Sequence, residues 1–113
     1  MRLLLRSKIH NATVTEANPE YIGSISIDSE LIEKAGLLPG EKVLVASITT
    51  GMRLETYVIE GERGSGIIAM NGPAAHVIKR GEKITIMGFE LADEYIRPKI
   101  VLVDENNRFA KYL

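Results

Sequence analysis

The pair Gly23-Ser24, inside the extended stretch PEYIGSIS, offers a reaction of the chain with itself. Glycine weakens a strand interior and marks a bulge, a bend or a close approach. On a bent backbone the Ser24 hydroxyl can attack the Gly23 carbonyl through a five-membered ring, turning the amide into an ester. Elimination across the Ser24 Cα–Cβ bond then frees the Gly23 carboxylate and leaves dehydroalanine, which hydrolyses to a pyruvoyl cap on the new N-terminus. Gly23 suits the attacked position because no Cβ crowds the carbonyl and strained φ/ψ is tolerated. The ordinary reading of a lone Gly-Ser pair is a bulge or a turn.

Other residues with chemical capacity recur at short spacings. Lys8 and His10 alternate on one face of the first extended run. Arg53, Thr56 and Tyr57 share a run, RLETYVIEGERGSG, and Asn71 precedes Gly72, Pro73 and Ala74 in AMNGPAAH. Taken singly, each has an ordinary role: solvated cations, packing tyrosines, and an Asn-Gly turn that caps a helix. His76 reads as structural, inside that short helix.

Together the pieces K-x-H, Y-x-G-S, T-x-G-x-R-x-x-T-Y, E-R-G-S and N-G-x-A-A-H, in register from Met1 to about Phe89, resemble the aspartate 1-decarboxylase family. The resemblance implies a six-stranded double-psi β-barrel, a homotetramer with active sites at subunit interfaces, and a precursor that cuts itself. Cleavage would give a β chain of residues 1–23 and an α chain of 24–113 from the single domain 1–113. It also implies decarboxylation of L-aspartate to β-alanine and CO2 for pantothenate and coenzyme A synthesis, in the cytoplasm. The cofactor would be a covalent pyruvoyl group made from Ser24, with neither metal nor pyridoxal phosphate. Its ketone would form a Schiff base with the substrate amine and act as electron sink. Whether maturation takes a helper protein is left open.

The same resemblance assigns roles. Gly23 and Ser24 are the cleavage pair. Arg53 can grip a carboxylate bidentately and is the substrate anchor. Lys8 would hold the other carboxylate or steer the anion inward, and His10 would assist binding or proton handling. Tyr57 would donate the proton to the carbanion, with Tyr21 in support. Thr56 and Asn71 are neutral donors for the oxyanion formed at Gly23. Backbone groups at Gly72, Pro73 and Ala74 would meet the substrate, although Pro73 stands where the family pattern has a small residue and removes one N–H.

Composition narrows the alternatives. With 14 Lys plus Arg against 15 Asp plus Glu, the net charge of -1 gives no general field for nucleic acid. That weighs against a second resemblance, of IDSELIEKAGLLPGEKVLV to the swapped-hairpin DNA-binding domains of transition-state regulators. A third reading is a noncatalytic assembly protein of the same fold. Zero cysteines exclude a thiolate metal site and a cysteine nucleophile. The apolar run Leu3–Leu5 is too short for a signal h-region or a membrane span, so no membrane partner is expected.

Gly and Pro punctuate β-rich runs, and the elements that must hold these residues follow. Strict alternation puts Leu3, Leu5, Ser7 and Ile9 on one face of the first strand. DSELIEKAGL reads as a helix capped by Asp28 or Ser29 and ended by Gly36. LPGEKVLVASITTG and RLETYVIEGE form a hairpin, and NGPAAHVI reads as a second helix capped by Asn71 or Gly72. Each helix would run about two turns. With no βαβα order, a closed β-barrel with helical excursions is expected. Alternation separates Thr56 from Tyr57, so either a bulge lies there or the two serve different sites across an interface. The tail DENNRFAKYL would fray or add an edge strand.

Overall fold

The computed structural model describes residues Met1–Leu113. The chain forms β1 (Arg2–Thr13), β2 (Glu16–Asn18), β3 (Ser24–Asp28), α1 (Ser29–Ala35), β4 (Lys42–Ser47), β5 (Arg53–Gly61), β6 (Ile68–Asn71), α2 (Ala74–Val77), β7 (Lys83–Ala92), β8 (Lys99–Val103) and β9 (Phe109–Tyr112). Hydrogen-bonded neighbours run β2-β6-β3-β5-β4-β7-β1-β8-β9. Val14 and Thr15 carry β1 directly into β2, their N–H groups donating to Glu82 and Ile68 carbonyls. One extended segment therefore pairs with β7 along its first part and with β6 along its last, and the sheet closes into a barrel. The nine strands thus comprise a six-stranded barrel, counting β1 and β2 as one, with β8 and β9 appended beyond it. The polar tail is an ordered edge strand: β9 pairs antiparallel with β8, and the Tyr112 hydroxyl donates to the Lys34 carbonyl.

The barrel interior is aliphatic. Ile9, Ile25, Ile27, Val43, Val45, Val58, Ile68, Met70, Ile84 and Ile86 are all buried in it. Each such side chain contributes about 2 kcal/mol by leaving water. On β4, and on β5 as far as Val58, burial alternates, as a one-sided strand requires. On β3 every residue is buried, because the barrel lies on one side and neighbouring segments cover the other.

Three expectations from the sequence are corrected. Alternation along β1 breaks at a register shift between Leu5 and Ser7, so Leu3 and Leu5 face outward with Leu91 and Phe89 while Ser7 and Ile9 turn inward. The extra residue of a bulge exchanges the faces. α2 is a single short turn, with Pro73 at its cap and no side-chain cap bond. Asn71 belongs to β6 and caps nothing, since its amide is used across the barrel wall. α1 matches its reading: the Asp28 side chain caps it and Gly36, at φ 73°, ends it.

Candidate active site

β3 carries Ser24 into the barrel wall at its first residue. Ser24 is only 1% exposed and faces Asn71 of β6, its direct antiparallel partner. The Asn71 amide Nδ2 donates to Ser24 Oγ at 2.9 Å and to Ser26 Oγ at 3.0 Å. The Ser24 hydroxyl in turn has the Ile22 carbonyl as acceptor at 3.4 Å, a long and weak bond. Ser24 and Ser26 lie two residues apart on one strand face, and that spacing lets one carboxamide reach both.

Gly23 lines a cleft of about 360 Å³ together with Leu54, Glu55, Thr56, Tyr57, Asn71, Pro73, Ala74 and Val77. The cleft exists because β3 pairs with β5 only from Ile25 opposite Val58 onward. Before that point the chain at Gly23 leaves the sheet, and β5 residues 54–57 form one wall. α2 forms the other. Its entry turn presses on the cleavage pair: a Cβ on Gly72 would lie 2.7 Å from Gly23 Cα, and Gly72 has φ +67°. Glycine is needed there on both counts. The Pro73 ring stands 3.4 Å from where a Gly23 Cβ would sit, so Pro73 is wall rather than donor.

The structure thus brings Gly23, Ser24, Thr56, Tyr57, Asn71, Gly72, Pro73 and Ala74 together. Thr56 and Tyr57 occupy opposite faces of β5, whose pairing with β4 runs without a register shift, so no bulge joins them. Thr56 is half-buried with the inward set, and Tyr57, 40% exposed, belongs to the outer set with Arg53 and Glu55. Both still border the cleft, which opens over the strand's free edge. Tyr21 is exposed on the loop before Gly23.

Arg53, Lys8 and His10 do not line this cleft. Arg53 is exposed at the start of β5. Lys8 shares an outer sheet row with Met87, Leu44 and Glu55. Three strand spacings separate Lys8 from Glu55, roughly 14 Å. His10 is half-buried farther along β1, and its buried Nδ1 has no hydrogen-bond partner. His76 is exposed on α2 rather than packed.

Sequence reasoning missed several members of the site. Ser26 holds the same amide as Ser24, and only the β3–β6 register shows it. Leu54 and Val77 supply apolar wall. Glu55 sits at the mouth, its carboxylate 3.3 Å from Lys42 Nζ. Asp28, at the far end of β3, is buried and accepts N–H groups of Glu30 (2.9 Å), Gly64 (3.0 Å) and Gly66 (2.9 Å). Burial pushes its carboxyl up, but those N–H groups and the Arg108 charge more than offset this, leaving it below the ordinary aspartate value. That clamp accounts for the ERGSG loop, which binds β3 rather than the cleft.

Comparison with known proteins gives one consistent result. The family described as aspartate decarboxylase matches residues 1–110. Aspartate 1-decarboxylase of Caldicellulosiruptor saccharolyticus is 56% identical over 112 residues, covering 96% of this chain and 88% of that protein. The enzyme of the same name from Carboxydothermus hydrogenoformans is 51% identical with the same coverage, 96% and 88%. Among solved structures, a rationally designed double-psi β-barrel protein superposes with a TM-score of 0.54 at 25% identity, covering 76% of this chain and 95% of its own.

Proposed function

The chain belongs to the aspartate decarboxylase family, and on that premise we propose that it cuts itself between Gly23 and Ser24 and then decarboxylates L-aspartate to β-alanine and CO2. The observation that carries this reading is the placement of the pair. Ser24 is held by a buried amide at the edge of a cleft whose wall is Gly23 itself.

For cleavage, Oγ bonds to the Gly23 carbon, the bond from that carbon to the Ser24 nitrogen breaks, and the Oγ proton passes to the nitrogen, which becomes a free amine. Elimination removes the Ser24 Cα proton, forms the Cα–Cβ double bond and breaks the Cβ–Oγ bond, giving the Gly23 carboxylate. Water then replaces the nitrogen left on Ser24 Cα, releasing ammonia. Asn71 spends both its N–H groups on serine hydroxyls, so in the uncut chain it supports the nucleophile rather than the carbonyl oxygen. Thr56, on the cleft wall, is the donor left for the oxyanion.

A pyruvoyl group fits this position. It keeps the Ser24 carbon skeleton and its bond to Ile25, exchanges the nitrogen for oxygen and loses Oγ, so it needs no more room than the buried serine. Asn71 and the Gly72–Ala74 turn would hold it. When present, it supplies an electron sink for the pair left by departing CO2. The protein residues do the rest. Leu54, Pro73, Ala74 and Val77 give the cleft its apolar lining. The Tyr57 hydroxyl at its edge delivers a proton to the substrate carbon.

Arg53, Lys8 and His10 complete the site from a second copy. Each stands away from the cleft of its own chain, on or beside an outer sheet face where Leu3, Leu91 and Tyr57 are exposed. A homotetramer in the cytoplasm with interfacial active sites satisfies both facts: it covers the apolar face and brings Arg53 to a substrate carboxylate.

Intact mass under denaturing conditions tests the cleavage. After warm incubation the expected species are residues 1–23 and a 24–113 chain blocked by a keto group, with β-alanine formed from aspartate. A full-length chain and no β-alanine after prolonged incubation, with and without a cell extract to supply a helper, would reject the reading.

A further inference from the structure

Ser26 is a buried hydroxyl, 9% exposed, that belongs to no catalytic step described above. It lies on β3 two residues after Ser24 and accepts the second hydrogen of the Asn71 amide at 3.0 Å. The first goes to Ser24 Oγ at 2.9 Å. A carboxamide held at one hydrogen can turn about its terminal bond, because that torsion is broad. Held at both, its plane is fixed.

Ser24 needs that fixity. No carboxylate or imidazole takes part in its hydrogen bonds, and its own acceptor is the Ile22 carbonyl at 3.4 Å. The Asn71 N–H is therefore the one strong partner of Ser24 Oγ. It stabilises negative charge as Oγ gives up its proton, and it does so only while aimed at that oxygen.

We infer that Ser26 is a positioning residue for self-cleavage: by holding the Asn71 amide it aims the other N–H at the Ser24 nucleophile. The inference rests on the self-cleavage reading. Without the Ser26 oxygen a buried N–H loses its partner, and the amide is drawn toward other acceptors at the expense of Ser24. The effect is on the rate of chain cleavage, which is read without any assay of the mature enzyme.

The experiment follows the conversion of full-length chain to fragments 1–23 and 24–113 by intact mass, for wild type, Ser26→Ala, Ser26→Thr and Ser26→Val. Wild type and Ser26→Thr are expected to cut at similar rates. Ser26→Ala and Ser26→Val should be slower by about ten-fold or more, the loss corresponding to about 1.4 kcal/mol. Threonine and valine share a shape and differ in the hydroxyl, so their ratio separates hydrogen bonding from packing even if alanine impairs folding. In an Asn71→Ala chain, Ser26→Ala should cause no further slowing, since it acts through that amide.

Equal rates for the threonine and valine chains would overturn the inference. So would a full additional slowing by Ser26→Ala when Asn71 is already alanine. A wild-type chain that never cuts would instead reject the self-cleavage reading on which the inference stands.

Discussion

The two ends of the five-residue strand β3 are built on opposite principles. At Asp28 a buried carboxylate collects the N–H groups of Glu30, Gly64 and Gly66, caps α1 and fixes the ERGSG loop. Asn107 reinforces the same corner by donating to the Thr13 and Gly66 carbonyls. At Ser24 the strand has lost its β5 neighbour, Gly23 borders an open cleft, and the hydroxyl has one strong bond and one weak one. One end has its hydrogen bonds satisfied by fixed partners. The other keeps reactive atoms under-bonded and holds them by glycine contacts. A strand clamped at one end can leave the other end free of the sheet without the barrel giving way.

The largest effect expected from breaking this contrast is at Ser24. Ser24→Ala removes the nucleophile, so cleavage and decarboxylation should both be abolished, while stability falls by only about 1 kcal/mol for the lost Asn71 partner. Intact mass, aspartate turnover and thermal melting read the three quantities. An active Ser24→Ala enzyme would sink the proposed chemistry.

At the other end the pattern should invert. Asp28→Ala orphans three buried or half-buried N–H groups and removes the α1 cap, at an expected cost of about 3 kcal/mol. Below its lowered melting temperature the folded variant should still cut at Gly23-Ser24. If cleavage is lost while the melting temperature stays unchanged, the two ends are not the separate devices described here.

The sequence made the clamp and the cleft legible to different degrees. α1 was readable because its signals are local: Asp28 before the apolar positions and Gly36 after them. The β4–β5 hairpin was readable for the same reason, through the TTGM turn. The faces of β1 are not, since an extra residue near Arg6 exchanges the faces from Ser7 on, a second shift follows between Ile9 and Ala12, and neither leaves a mark in composition. Asn-Gly before a helix has a local meaning, a cap at Asn71 or Gly72, whereas the side-chain partners of Asn71 lie 47 and 45 residues away. The cleavage pair was found through its motif. Ser26 was not, because only strand register brings it to Asn71.

Gly72 presses on the cleft end alone and gives the next prediction. An alanine Cβ there would lie 2.7 Å from Gly23 Cα and 2.9 Å from the Tyr21 carbonyl oxygen, at a φ that alanine resists. Both neighbours are backbone and cannot rotate away. Gly72→Ala should cost about 2 kcal/mol and push Gly23 out of its present path, slowing cleavage. Unchanged cleavage would show that the Gly72 contact does not hold the scissile peptide.

The smallest effect is the dependence of the clamp on acid. The Asp28 carboxyl titrates below the ordinary aspartate value in the folded chain, because bonds to backbone N–H groups and the Arg108 charge favour its ionised form more than burial disfavours it. Its folded pKa is thus lower than its unfolded one, near 3.9 by model peptides. The stability it contributes is complete above about pH 5 and is lost as pH falls through the folded value. Asp104 shifts the same way, through N–H groups of Arg108 and Asn106, so the wild-type acid slope belongs to more than one carboxylate. Comparing melting temperatures of wild type and Asp28→Asn isolates the clamp, because the Asp104 contribution is common to both chains and cancels. The gap between them should be constant from about pH 7 to pH 5 and narrow below about pH 4, as the wild-type carboxyl becomes neutral like the amide. A gap that keeps its width at pH 3 would mean that Asp28 holds the ERGSG loop by shape and neutral hydrogen bonding, and that the contrast between the two ends of β3 does not depend on charge.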